Sequence, residues 1–214
     1  TPDGESLDAL WSSIKALVRS GSFWLTVWLI GAVIALGRTV NAYWRFCRAL
    51  RPTLMAVDEE TARVYASFGL RRKPALFCSP FVKTPMLLGL ARPCILLPGK
   101  KLPPETAENV LRHELTHYKR GDLLYKWFSA IVFSLHWFNP LMLLFRRELD
   151  RVCELGCDER VLRDMNKEQR YSYGETLLDL AAGHALPAGV VATTFSTEKR
   201  DLKERLEHIM KYRH

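Results

Sequence analysis

The stretch Trp127–Phe145 contains no acidic residue, lysine or arginine. It approaches the roughly 20 apolar residues with which a helix crosses a bilayer. The residues on its two sides nevertheless read as halves of one site. Upstream lies His113-Glu114-Leu115-Thr116-His117, and downstream the acidic pair Glu154 and Asp158. A single crossing would leave those halves on opposite faces of the membrane. The break His136-Trp137-Phe138-Asn139-Pro140 resolves the conflict, because Asn139 is a good helix cap and Pro140 a good first-turn residue. His117 to Phe138 is about 21 residues and Phe138 to Glu154 about 16, so two helical arms rise about 32 and 24 Å at 1.5 Å per residue. The chain can thus return to where it left. Lys126 and Arg146-Arg147 flank an apolar tip too short to span. A re-entrant, membrane-dipping hairpin over 123–147 is therefore expected, which is permissible where protein shields the bend. Its competitor is a wholly soluble helical hairpin.

His113 and His117 are four apart, so on a helix they project from one face and can share an ion. Glu114 lies beside them, placed to take a proton from a water that the metal activates. A catalytic Zn2+ wants three protein ligands and an open position. Glu154 is the expected third ligand, on a helix read over Glu148–Val161. Asp158, one turn on, is a good acceptor for the outer nitrogen of a ligating histidine, fixing its tautomer.

The amino-terminal part supplies a second membrane signal. Phe23–Gly37 is free of charge, with Trp24 and Trp28 near its start and Arg38 at its end. It lengthens to a spanning helix if Arg38 snorkels and the helix runs on through Val40, Tyr43 and Trp44. Before it, Leu7, Leu10, Trp11, Ile14, Leu17 and Val18 repeat at helical spacing behind a cap at Ser6, giving an amphipathic segment. The formal charge of +8 gathers in Arg38, Arg45, Arg48, Arg51, Arg63, Arg71, Arg72 and Lys73. Since that cluster starts where the apolar run ends, the positive-inside rule accounts for it and places it in the cytoplasm. No recognition-helix pattern or aromatic-interleaved basic stripe supports nucleic-acid binding. Cys47, Cys78, Cys94, Cys153 and Cys157 form no compact framework, which suits a reducing compartment. Cys153 and Cys157 are read as buried small hydrophobes.

Between Met55 and Pro98 the pattern turns to short apolar runs: Arg63–Ala66, Ala75–Cys78, Met86–Gly89 and Cys94–Leu97. Gly, Pro and Arg/Lys separate them, the punctuation of strands and turns. Pro103-Pro104-Glu105 then opens the motif helix, which should stop near Gly121. Leu202, Leu206 and Ile209 give a terminal charged helix one apolar face for docking.

HELTHYKRGD (113–122), HWFNP (136–140) and ELGCDE (154–159) resemble the BlaR/MecR-type membrane metallopeptidases, bacterial antibiotic-sensing signal transducers of gluzincin type. The segment Pro85–Pro98 resembles the part that precedes their motif helix, and the likeness covers roughly 22–210. It implies His113, His117 and Glu154 on zinc and Glu114 as base, and makes the Met86–Gly89 strand a candidate edge for an extended peptide.

The expected fold is α+β: a mainly helical zincin-like metallopeptidase domain with a small sheet, membrane-anchored by an N-terminal helix and the hairpin. Its parts are an amphipathic segment 1–20, a transmembrane helix 21–45 and a cytoplasmic domain 46–214 at the bacterial cell membrane. The expected activity is hydrolysis of a protein or peptide substrate, either this chain or a cytoplasmic regulator, with membrane lipid as the other partner. The alternative is a non-catalytic, zinc-stabilised membrane signal transducer. Arg170, Tyr171, Tyr173, His184 and His208 all qualify as the oxyanion stabiliser such chemistry needs. Ser196-Thr197-Glu198-Lys199 has the spacing of a penicillin-acylation site but no K-T-G partner, and is taken as coincidence.

Overall fold

A computed structural model of the chain describes residues 11–12, 15–16, 18–182 and 192–212, without side chains over 192–199. Most of the amphipathic first segment, as well as His184, lies outside them; Trp11 and Val18 are helical and exposed.

Helix α1 (Gly21–Leu50) starts where the Ser20 hydroxyl accepts from the Phe23 amide. It is the helix, among the described residues, long and apolar enough to cross a membrane. Only 6% of its most apolar stretch is buried, whereas a core helix would be mostly covered. Trp24, Leu25, Leu29, Ile30, Val33 and Ile34 all point away from protein.

Three of the four apolar runs are strands: β1 (Ala75–Ser79), β2 (Met86–Leu88) and β3 (Cys94–Pro98). Their order is β1-β3-β2, with β1 parallel and β2 antiparallel to the central β3. The fourth run, Arg63–Ala66, is instead inside helix α2 (Glu59–Ser67). Asp58 decides this locally: its carboxylate accepts from the Thr61 amide and hydroxyl at 3.0 and 2.7 Å. Glu59 and Glu60 add acids to the first turn, where the helix dipole favours them. Capping outweighs the β propensity of Val64 and Tyr65.

The motif helix α3 (Pro104–Arg120) lies on the sheet, packing Val110, Leu111 and Leu115 against Ile95 and Leu97. It ends at Gly121, whose φ of 73° is left-handed, a conformation glycine adopts without strain. Helices α4 (Asp122–Leu135) and α5 (Leu141–Leu162) follow as the two arms of the hairpin. At the bend the Asn139 side chain accepts from the Leu141 amide at 3.0 Å.

Arm α4 runs antiparallel along α1. The Tyr43 and Trp127 rings meet at 5.0 Å at one end. At the other, Trp28 Nε1 donates to the Leu135 carbonyl at 2.7 Å and Trp137 Nε1 to the Trp28 carbonyl at 3.2 Å. Helices α6 (Lys167–Ala182) and α7 (Ala192–Lys211) complete the bundle. Ile209 of α7 joins Cys157, Val161, Leu162 and Tyr173 in a second core, with Leu202 packed against it, which is the docking its apolar face anticipated.

Candidate metal centre

Helix α3 puts His113 and His117 on one face, and α5 returns from the hairpin to lay Glu154 across them. The two Nε2 atoms are 3.0 Å apart. Glu154 places Oε2 3.4 Å from the His113 Nε2 and Oε1 3.5 Å from that of His117.

The outer nitrogens are engaged. His117 Nδ1 lies 2.6 Å from Asp122 Oδ2. His113 Nδ1 lies 2.8 Å from the Tyr173 hydroxyl, which donates to Asp158 Oδ1 at 2.6 Å; Asp158 itself is 3.4 Å from that nitrogen. With acceptors on both Nδ1–H groups, the Nε2 atoms turn lone pairs toward each other and toward a carboxylate. Lone pairs converging in this way repel unless a cation lies among them. Tetrahedral zinc, about 2.1 Å from each ligand, sets neighbouring ligand atoms about 3.4 Å apart. The donor set and its spacing fit zinc.

The surroundings of the two rings favour positive charge. Burial alone would lower the His117 pKa, but hydrogen bonding to Cys153, Cys157 and Glu154 pushes it up to about 12. Burial opposes charge on His113 too, yet Tyr173, Asp158, Cys157 and Glu154 hold it well above its ordinary value. The acceptors and carboxylates around the two rings thus favour positive charge where their Nε2 atoms face each other at 3.0 Å. Burial would raise the Glu154 carboxyl, but the two histidines hold it far below the usual range. Burial likewise opposes ionisation of Asp158, which His113 and Arg205 bring down to about 2.

Glu114 differs from the other acids. It is buried, and among the described residues its carboxylate makes no hydrogen bond. Burial raises its pKa, a shift only partly offset by the two histidines. That is the environment of a proton acceptor.

Cys157, wholly buried, has its sulfur 3.6 Å from His113 Nδ1, and forms with both histidines a further cluster of potential ligand atoms. We favour Glu154 as third ligand because it faces both free Nε2 atoms. Cys157 faces a nitrogen already engaged, and although burial opposes its ionisation, the two histidines hold its thiol below the ordinary value.

All five residues expected from sequence thus come together. Two partners went unassigned there. Asp122, just past the glycine stop, had a signal: it is the acid nearest in sequence to His117 after the helix ends. Arg205 had none. It comes from α7, donates to both Asp158 oxygens and lies 3.4 Å from Glu154 Oε2. Of the oxyanion candidates, Tyr173 stands behind His113. Arg170 is spent on the carbonyls of Met165 and Tyr212.

The family model described as BlaR1 peptidase M56 matches residues 13–209. The chain is similar to "Regulatory protein BlaR1" of Bacillus licheniformis, 27% identical over 199 residues, covering 89% of this chain and 33% of the relative. It is similar to "Methicillin resistance mecR1 protein" of Staphylococcus aureus, 24% identical over 195 residues, covering 88% and 33%. The chain therefore spans about a third of the length of the curated relatives it matches.

Proposed function

The chain belongs to the BlaR1 peptidase M56 family, and we propose that it is the zinc-dependent endopeptidase unit of a membrane-bound signalling protein. The observation that carries this reading is the convergence of His113 Nε2, His117 Nε2 and the Glu154 carboxylate within 3.5 Å, beside an unbonded Glu114.

In this reading His113, His117 and Glu154 hold the ion. Bound zinc supplies Lewis-acid activation of water and of a scissile carbonyl. Glu114 accepts the proton of the attacking water, and its raised pKa suits it to pass that proton to the departing amine. Asp122 keeps the proton of His117 on Nδ1, and Tyr173 with Asp158 does so for His113. Arg205 neutralises the acids behind the ligands. Strand β2, at the edge of the sheet, is the place for an extended substrate segment to add by backbone pairing. The substrate class is protein, either this chain or a cytoplasmic regulator.

The membrane reading follows from depth. Alongside α1, the hairpin tip sits level with Trp28, within the apolar run Phe23–Gly37. Phe138, Leu141, Leu143, Leu144 and Phe145 expose apolar surface there. A hairpin at that depth dips into the bilayer beside the span. The basic residues after Gly37 place the catalytic part in the cytoplasm of a bacterial cell.

Purified wild-type and Glu114→Ala chains, both zinc-loaded, test the reading. Wild type is expected to cleave itself or an added protein, by mass spectrometry, while Glu114→Ala keeps its zinc and is inactive. Zinc-dependent cleavage surviving in Glu114→Ala would overturn the mechanism. Zinc retention with no cleavage by wild type would favour the non-catalytic transducer.

A further inference from the structure

A polar cavity lies beside α3 and α5, about a quarter turn round α3 from the histidines. It has a volume of about 450 Å³ and is walled by α3, α5 and Phe68, within the size range of small-molecule sites. Five cations line it: Arg112, Lys119, Arg120, Arg160 and Arg163. Against them stand only Glu159 and Asp164.

The local ion pairs engage Arg112, Arg120 and Arg163 and leave Lys119 and Arg160 unmatched among the described residues. Arg112 pairs with Glu108 at 2.8 Å and Arg163 with Glu159 at 3.5 Å, both pairs toward solvent. The Nε of Arg112 is buried with no hydrogen-bond partner. A recess focusing like charge in this way attracts an anion, and arginine forks match phosphoryl oxygens in pairs.

We propose that this cavity binds a soluble molecule carrying two phosphoryl groups. The two unpaired cations, Lys119 on α3 and Arg160 on α5, stand on opposite walls and each answer one phosphoryl group, while Leu115 and Val161 supply an apolar wall for a carbon skeleton. A lipid headgroup has the same chemistry but sits at the wrong depth. The cavity begins at Gly156, nine residues and so about 14 Å along α5 beyond Arg147, away from the hairpin tip. The site also touches the metal centre. Arg120 Nε lies 3.2 Å from Asp122 Oδ1, and the other oxygen of Asp122 holds His117 Nδ1. The proposal does not depend on the peptidase reading.

The test uses the full chain carrying Glu114→Ala, in nanodiscs of zwitterionic lipid, titrated calorimetrically with fructose 1,6-bisphosphate. One saturable site is expected, with glucose 6-phosphate binding at least about tenfold more weakly and sulfate at equal ionic strength failing to compete. Lys119→Ala and Arg160→Ala, at exposed positions and checked by circular dichroism, should each weaken binding by about tenfold. Absence of saturable binding, or affinity unchanged in both variants, would overturn the proposal. So would binding that appears only to nanodiscs containing a bisphosphorylated inositol lipid, which would assign the cavity to a headgroup.

Discussion

Arg205 grips Asp158 with two hydrogen bonds, Nε to Oδ2 at 2.7 Å and Nη2 to Oδ1 at 2.8 Å. Asp158 has no exposed surface, and the Arg205 side chain is 17% exposed. The pair joins the last helix to α5 directly behind the proposed ligands. Two charges sharing a buried, bidentate geometry are costly to separate, because removing one strands the other.

Arg205→Ala should therefore destabilise the protein by about 3 kcal/mol and also reduce zinc retention. Arg205→Lys keeps the charge but loses the fork, so partial recovery of both is expected. Thermal unfolding in detergent and elemental zinc content are the measurements. A purely structural role would lower the melting temperature while leaving zinc affinity in the folded protein unchanged.

His113 and Arg205, both beside Asp158, fix an acid limit. The Asp158 pKa is lowered in the fold from 3.8 to about 2. A depressed carboxyl contributes stability that is present above the unfolded value and lost as pH falls through the folded one. The contribution should be full at pH 5 and fade between about pH 4 and 2. Melting temperatures of wild type and Asp158→Asn across that interval check it: the gap between them should narrow toward the acid end.

Sequence made some of this legible and hid the rest, for identifiable reasons. The i,i+4 histidines, Pro104 and Gly121 act within a few residues of themselves, and the helix followed them. The hairpin was legible because two half-sites had to meet. Arg63–Ala66 misled because a short apolar run looks alike in helix and strand, and the deciding cap at Asp58 lies outside the run. Arg205 was invisible. It sits 47 residues from Asp158, on a helix rich in charged residues, and only tertiary packing separates it from them.

Tyr173→Phe isolates the support of one proposed ligand, His113. The ring still fills the second core, but the hydroxyl between His113 Nδ1 and Asp158 is gone. Losing an orienting partner behind a metal ligand costs roughly 10- to 100-fold in affinity. Competition with a zinc chelator should show a loss of that order with little change in the metal-free melting temperature. An unchanged affinity would mean that Asp158 holds the histidine unaided across its 3.4 Å.

Glu114 carries a pH signature. As the proposed general base it must be ionised, and burial raises its pKa above that of an ordinary glutamate. Cleavage should fall as pH drops through that raised value, so the acid limb of kcat/KM lies higher than about 4.3, the ordinary glutamate value. Glu114→Gln should abolish the limb along with the activity. Removing a buried, unpaired charge should also raise the melting temperature by a few degrees, roughly the shift that about 1 kcal/mol produces.

The contact between Gly31 and Trp137 tests where the hairpin lies. A Cβ added at Gly31 would come within 2.2 Å of the Trp137 ring, so the indole of the hairpin tip occupies the place of a side chain on α1. Gly31→Leu should push the indole away, break its hydrogen bond to the Trp28 carbonyl and loosen α4 from α1. If the tip sits in the bilayer, a spin label at Phe138→Cys in nanodiscs should be accessible to oxygen and shielded from an aqueous nickel chelate. A label at Lys126→Cys, flanking the apolar part of the hairpin, should show the reverse. In Gly31→Leu the label at Phe138→Cys should gain mobility. Strong relaxation of that label by the nickel chelate in the parent protein would instead put the hairpin in water, and the apolar faces of α4 and α5 would then need a protein partner.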